Sequence, residues 1–193
     1  QRIYSSDSLC INDVFFINSN IGFACGDSLL LKKTTNGGNT WELFNADNRP
    51  DYDDIVSYNE IFVRDTNFLL LAGGDFGKGL ISFYSTAYDW DHVYFNVEIY
   101  SLTSLSEYFS FFGAVDYIIL TEDEGLSFED IEFIGQIIQK IISTPDNIIL
   151  AISRIGSIHY STDIGYNWRT VLSRRASVFC DIHYTEDLSV VCG

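Results

Sequence analysis

Three side chains stand where an oxygen-bearing group could do chemistry: Asn36, Asp123 and Asp163. Each lies two residues after a hydroxyl residue (Thr34, Thr121, Ser161) and two before a glycine (Gly38, Gly125, Gly165). An aromatic closes each run at Trp41, Phe128 or Trp168, and a second hydroxyl precedes it at Thr40 and Ser127. The last copy carries Asn167 there instead. Carboxylates so placed could act as general acids or bases, or hold a metal ion. The same spacing also serves structure. Asp or Asn at the third position of a tight turn accepts backbone N–H bonds, and the glycine supplies a positive φ that side chains resist. The aromatic then opens the next strand and covers the gap beside it. We read these positions as staples of a turn, with no catalytic or metal role.

The remaining candidates are less patterned. Asp47, Asp51, Asp53 and Asp54 lie in the most acidic loop, residues 47–54. Alternating oxygen ligands could hold Ca²⁺, but the glycine and distal Glu of a calcium-binding loop are missing. A solvated insertion that contacts a partner is the preferred reading, and no cofactor is expected. His92, His159 and His183 show no ligand-like pair spacing. Residues 73–79, GGDFGKG, are glycine-rich but precede no helix, so they read as a turn between strands and not as a phosphate cradle. Cys10 and Cys25 flank a first hairpin, and Cys180 and Cys192 flank a last one. Both pairs could be disulfides in an exported protein; the alternative is four small residues buried in strands.

The elements that position these groups repeat. The closing aromatics fall at 41, 90, 128 and 168, with Phe83–Trp90 an eroded copy of the turn. That spacing of roughly 40 residues is the period of a propeller blade of four short strands. Strand–turn–strand segments precede each turn, such as residues 13–16, 22–26 and 29–33 in the first copy. We divide the chain into repeats at about 11–57, 58–98, 99–137 and 138–178, with a partial fifth at 179–193. The region 128–142 has helix-like length, but its β-branched residues and Gly135 favour two strands joined by a turn. The expected fold is an all-β propeller of four-stranded antiparallel blades, about four and a half of them. The half blade implies a fragment of a larger ring.

The pattern Ser/Thr-x-Asp/Asn-x-Gly-x-Thr/Ser-Trp/Phe resembles the Asp-box, or bacterial neuraminidase repeat. The whole first copy, DVFFINSNIGFACGDSLLLKKTTNGGNTW at 13–41, is most similar to the photosystem II assembly and stability factor-like propellers. That resemblance implies a non-catalytic scaffold with a protein partner. Asp-box folds also include sialidases, but none of the seven arginines sits in the arginine motif of that family. Two alternatives stand beside the scaffold: a carbohydrate-binding or glycosidase-like module, and a structural repeat of a larger surface protein. Asp13, Glu60 and Asp181 recur at the start of the first strand of their repeats, and repeat registration accounts for them as well as a glycosidase acid pair does.

Bulk properties narrow the field. The 193 residues are 47% hydrophobic and 16% aromatic, which favours strands. The balance of 27 acidic against 11 basic residues gives a net charge of −16. With no basic patch beyond Lys32-Lys33 and Arg174-Arg175, nucleic acid is excluded as a partner. No apolar run reaches the ~18 residues of a membrane span. The chain begins with Gln and contains no Met, so we expect an exported, bacterial-type protein with its leader removed.

Overall fold

The computed structural model describes residues 9–44, 57–86, 89–106, 108–173, 178–184 and 189–192. Nearly all of this is strand, and the chain falls into two compact units, 1–98 and 99–193. No helix among the described residues is long and apolar enough to cross a membrane.

The first unit holds two four-stranded antiparallel sheets, each ordered as its strands occur. The first contains β1 (Ile11–Phe16), β2 (Gly22–Gly26), β3 (Leu30–Thr34) and β4 (Glu42–Leu43). The second contains β5 (Tyr58–Asp65), β6 (Phe68–Asp75), β7 (Lys78–Ser85) and β8 (Asp89–Phe95). Inner strands are continuous apolar runs because both their faces are covered, as in FLLLAGGD of β6, buried from Phe68 to Gly74. The outer strand β8 alternates instead. Phe23, Leu31, Ile61, Leu69, Leu71 and Leu80 form the core of this unit. Asp13 ties β1 to β5, since its Oδ2 accepts the Ile61 N–H at 3.0 Å.

The second unit holds a six-stranded sheet and a hairpin. In chain order the sheet runs β9 (Ile99–Ser104), β10 (Ser110–Thr121), β11 (Glu129–Ser143), β12 (Ile149–Ser153), β13 (Ser157–Ser161) and β14 (Arg169–Ser173). The hairpin is β15 (Asp181–Tyr184) with β16 (Ser189–Cys192). Phe111, Ile118, Ile138, Ile141 and Ile149 fill the core.

The break expected near Gly135 is not a turn between separate strands. β11 is one strand of 15 residues. Glu129–Glu132 and, after a bulge, Ile137 pair with β10, and Ile138–Ser143 pair with β12. Gly135 lies between at φ +78°, and its N–H donates to Asp116 Oδ1 at 2.7 Å. The glycine thus lies in a bulge of the β10–β11 ladder, which resumes at Ile137, and the strand bends there without ending. Ser101 and Thr103 of β9 act on β11 as Asp13 does on β5: their hydroxyls accept the N–H groups of Ile141 and Ser143, each at 3.0 Å.

The first cysteine pair is not bridged. Cys10, Cys25 and Cys180 carry free thiols. The register explains why. Ile11 stands opposite Gly26 and Asp13 opposite Cys25, with a bulge between, so Cys10 lies beyond Cys25 and beside Asp27. Cys25 instead points into the core, its sulfur 4.0 Å from the Tyr58 carbonyl. Burial in a strand, the alternative reading, describes Cys25. At the other end, Asp181 and not Cys180 stands opposite Cys192, whose side chain is outside the described residues.

Candidate functional site

The three turns singled out in the sequence share one hydrogen-bond design. In the first, the Thr34 hydroxyl accepts the N–H of Asn36 (3.3 Å) and of Gly38 (2.9 Å) and donates to Asn36 Oδ1 (3.0 Å). Asn36 Oδ1 also accepts the Thr40 N–H at 2.9 Å, and its amide donates to the Thr40 hydroxyl at 2.8 Å. In the second, Thr121 bonds the N–H of Asp123 and Gly125 and donates to Asp123 Oδ1 at 3.0 Å. The Ser127 N–H reaches Asp123 Oδ1 at 2.8 Å and its hydroxyl reaches Oδ2 at 2.6 Å. In the third, Ser161 plays the part of Thr121, and Asp163 accepts the Asn167 N–H at 2.8 Å. The Asn167 amide supplies the last bond, to Asp163 Oδ2 at 2.6 Å. The departure from a hydroxyl at this position therefore keeps the donor and changes only its chemical type.

These bonds decide what the carboxylates can do. Hydroxyl and backbone donation from Ser127 holds Asp123 below the usual carboxylate range, and Asn167 does the same for Asp163. Both are fixed as anions with turn donors on both oxygens. A general acid or base working near neutrality needs a pKa near the working pH, and these move away from it. Gly38, Gly125 and Gly165 take φ of +84°, +90° and +86°, as the turn requires.

The closing aromatics cover the turns. The Trp168 indole N–H donates to the Gly165 carbonyl at 2.8 Å, and its ring meets Phe133 edge-on at 5.5 Å. Trp41 packs edge-on against Phe16 at 5.9 Å, and Phe128 stands 6.3 Å from Phe112. In the eroded copy the flanking strands are in direct register, Tyr84 opposite Trp90 and Ser85 opposite Asp89 across β7 and β8.

The acidic loop with Asp47, Asp51, Asp53 and Asp54 lies outside the described residues. Among the described residues no three His, Cys, Asp or Glu side chains are placed to hold a metal ion. GGDFGKG forms the β6–β7 hairpin, with Asp75 opposite Lys78 and Phe76 at the tip.

Two histidine–hydroxyl pairs carry no mark in the sequence. Ser82 faces His92 across β7 and β8, and His159 faces Thr170 across β13 and β14; each Nδ1 lies 2.9 Å from the hydroxyl. Only cross-strand register reveals them. Ser82 is fully buried and also contacts the Tyr58 hydroxyl at 2.9 Å, so it presents no nucleophile to solvent. His159 is closed off by Gln136 Oε1, 2.8 Å from its Nε2, and burial pushes its pKa down. A shallow depression of about 340 Å³ lies against the third turn, lined by Tyr160, Thr162, Asp163, Asn167, Trp168 and Arg169.

Comparison with known proteins agrees with this architecture. No known family and no curated protein matches the chain. Among solved structures it is similar to YCF48 bound to a D1 peptide, with 16% identity, a TM-score of 0.71, and coverage of 96% of this chain and 60% of that one. It is similar to the RRP9 WD40 repeats at 10% identity and a TM-score of 0.65, covering 88% of this chain and 53% of that one. PorZ, described as an essential bacterial surface component of the type-IX secretion system of Porphyromonas gingivalis, matches at 10% identity and a TM-score of 0.63, over 94% of this chain and 24% of that one. The chain thus spans only part of each of these relatives. Its fold is that of a β-propeller, with antiparallel sheets that are four-stranded in residues 1–98 and joined into six strands and a hairpin in residues 99–193, and it resembles the assembly-factor propellers expected from residues 13–41.

Proposed function

We propose that the chain is a non-catalytic propeller module that binds another protein, and that it works as an exported or surface component. The observation that carries the binding reading is the set of large apolar side chains standing in water at the tips of tight turns. Phe76 is 88% exposed, Leu126 86% and Tyr166 63%. Contiguous exposed apolar groups mark interaction sites, and recognition concentrates on loops held by a rigid scaffold. Phe76 additionally sits at φ +54°, a conformation bulky side chains avoid, so its place at the tip is no product of local preference. A structure of the same fold described with a bound peptide supports the binding reading.

The test is affinity purification of the tagged chain from its host, followed by reconstitution from purified components. A defined stoichiometric complex is the expected result. Hydrolysis of reporter glycosides that paired acid-to-amide substitutions abolish would overturn the reading. Protease treatment of intact cells checks the location: degradation of the chain is expected, and full protection refutes exposure at the surface. The depression beside Trp168 favours a second reading, a glycan site. There a glycan array would give a signal that Trp168→Ala removes.

A further inference from the structure

We infer that the second unit carries a docking surface for a cationic segment of a partner protein bearing an apolar side chain. The surface is formed by Leu126, Tyr166 and Tyr108 with the carboxylates of Glu122, Glu124 and Glu129. It rests on the protein-binding reading above and gives that reading a place and a partner chemistry.

Leu126 and Tyr166 occupy the same position in successive turns, directly after the glycine. The turn does not need them. In the first copy Asn39 holds that position, and its amide helps close the turn by donating to the Asn36 carbonyl at 2.7 Å. At Leu126 and Tyr166 only the backbone takes part, each N–H lying 3.3 Å from the carbonyl of the turn aspartate. Leu126 is therefore held in water without a return to the fold, and Tyr166 returns only its hydroxyl bond to Glu122.

The two turns form one face. The Tyr166 hydroxyl reaches across to Glu122 Oε1 at 2.7 Å, joining turn 161–168 to turn 121–128. The Glu124 N–H lies 3.4 Å from the Tyr108 carbonyl, which places the half-exposed Tyr108 beside them. Glu124 and Glu129 are exposed, and Glu122 and Glu129 both push the Tyr166 phenol pKa up, so their charge is felt at the apolar tip.

Charge selects the occupant. No Lys, Arg or His occurs from Val93 to Gln139, a stretch that carries nine Asp and Glu. Glu122, Glu124 and Glu129 beside the apolar tip outnumber Arg169, the cation directly after the third turn, and so disfavour acidic proteins, nucleic acid and anionic lipid headgroups. The tip attracts Lys or Arg flanking an apolar side chain, which can pack on Leu126 and the Tyr166 ring while the cation meets Glu122 or Glu124.

The probe is a fluorescein-labelled 12-residue peptide of interspersed Lys and Leu, with two counterparts carrying Glu for Lys or Ser for Leu. Fluorescence anisotropy is read at 50 and 500 mM NaCl. The Lys/Leu peptide is expected to bind, both counterparts to bind at least ten-fold more weakly, and high salt to weaken the complex at least ten-fold. Leu126→Ser with Tyr166→Ser is expected to cost a further ten-fold or more, while Tyr166→Phe keeps most of the binding. Glu122→Gln, Glu124→Gln and Glu129→Gln together should flatten the salt dependence, and Leu43→Ser, at an exposed position of the first unit, should change nothing. All substitutions are on the surface, and the Trp168 fluorescence checks that the variants are folded. Binding that survives the double Ser change, or that Leu43→Ser abolishes instead, overturns this surface but leaves the protein-binding reading intact. If no peptide binds yet a purified native partner does, the inference falls alone. If neither binds, both fall.

Discussion

Gly38 and Gly165 hold the same place in two copies of one turn, at nearly the same φ, yet their surroundings differ. A Cβ on Gly38 would meet Trp41 Nε1 at 3.6 Å, an ordinary contact. A Cβ on Gly165 would meet Phe111 Cε1 at 2.6 Å and Cζ at 3.3 Å. Phe111 is fully buried and cannot step aside. Gly38→Ala therefore costs only the left-handed backbone, about 1–2 kcal/mol. Gly165→Ala adds overpacking of about 1–3 kcal/mol, giving roughly 2–5 kcal/mol in all. Urea titration followed by tryptophan fluorescence separates the two, because Trp168 is the only tryptophan of residues 99–193 while Trp41 and Trp90 report on residues 1–98. With a urea slope of about 1.5 kcal/mol per M, Gly165→Ala should lower its midpoint by about 1–3 M, and Gly38→Ala by about 1 M. Phe111→Leu in the Gly165→Ala background should recover part of the loss, a coupling that a double-mutant cycle measures. Equal costs for the two glycines, or no coupling to Phe111, would refute the account of the turn as pinned against the core.

Three further outcomes follow from the described contacts. Asn36→Asp should leave the first turn at least as stable at neutral pH, because the Thr40 hydroxyl can turn to donate as Ser127 does to Asp123, whereas Asn36→Ala should cost about 1–2 kcal/mol by urea titration. Burial holds His159 neutral below its ordinary pKa, so the unfolded chain takes up its proton first. Stability of residues 99–193 from this source is fully present above about pH 6.5 and falls as pH drops towards the folded pKa. His159→Asn should remove the part of the pH dependence that sets in as pH falls below about 6.5, without altering the later loss at lower pH, where Asp123 and Asp163, depressed in the fold, take up protons. Burial pushes the Cys25 thiol well up, and Asp27 raises that of the exposed Cys10. Alkylation with iodoacetamide at pH 8, read by peptide mass spectrometry, should label Cys10 slowly and Cys25 only in denaturant; rapid native labelling of Cys25 would show its strand to be open.

The turns were legible in the sequence because their design is local. Hydroxyl, carboxylate or amide, glycine and second donor all lie within seven residues, and spacing alone fixes which oxygen meets which N–H. Even the substitution at Asn167 keeps a donor in reach of Asp163. Strand direction across Gly135 was not legible, since a glycine at positive φ marks both a turn and a bulge, and only pairing with β10 and β12 distinguishes them. The cysteines failed for a related reason. Sequence spacing put Cys10 and Cys25 on opposite arms of a hairpin, but a one-residue bulge decides which side chains face each other. The exposure of Leu126 and Tyr166 left no local signal at all. An apolar residue in a turn looks the same whether a neighbouring element covers it or leaves it in water.

The long strand β11 has a consequence for how such a chain can be cut, copied or opened. It closes one ladder through Glu129–Glu132 and Ile137 and starts the next through Ile138–Ser143. A sequence repeat that ends between residues 137 and 138 therefore divides a single continuous strand. The unit in which the gene could be duplicated and the unit in which the backbone is hydrogen-bonded are out of phase. Excising one copy at the repeat boundary would leave two raw edges instead of one. New termini or insertions belong instead at hairpin tips such as Arg154–Gly156, where no ladder is crossed. Amide exchange should show the two halves of β11 opening together, because Ile137 belongs to both ladders: it pairs with Val115 of β10, and its carbonyl accepts the Arg154 N–H at 2.9 Å.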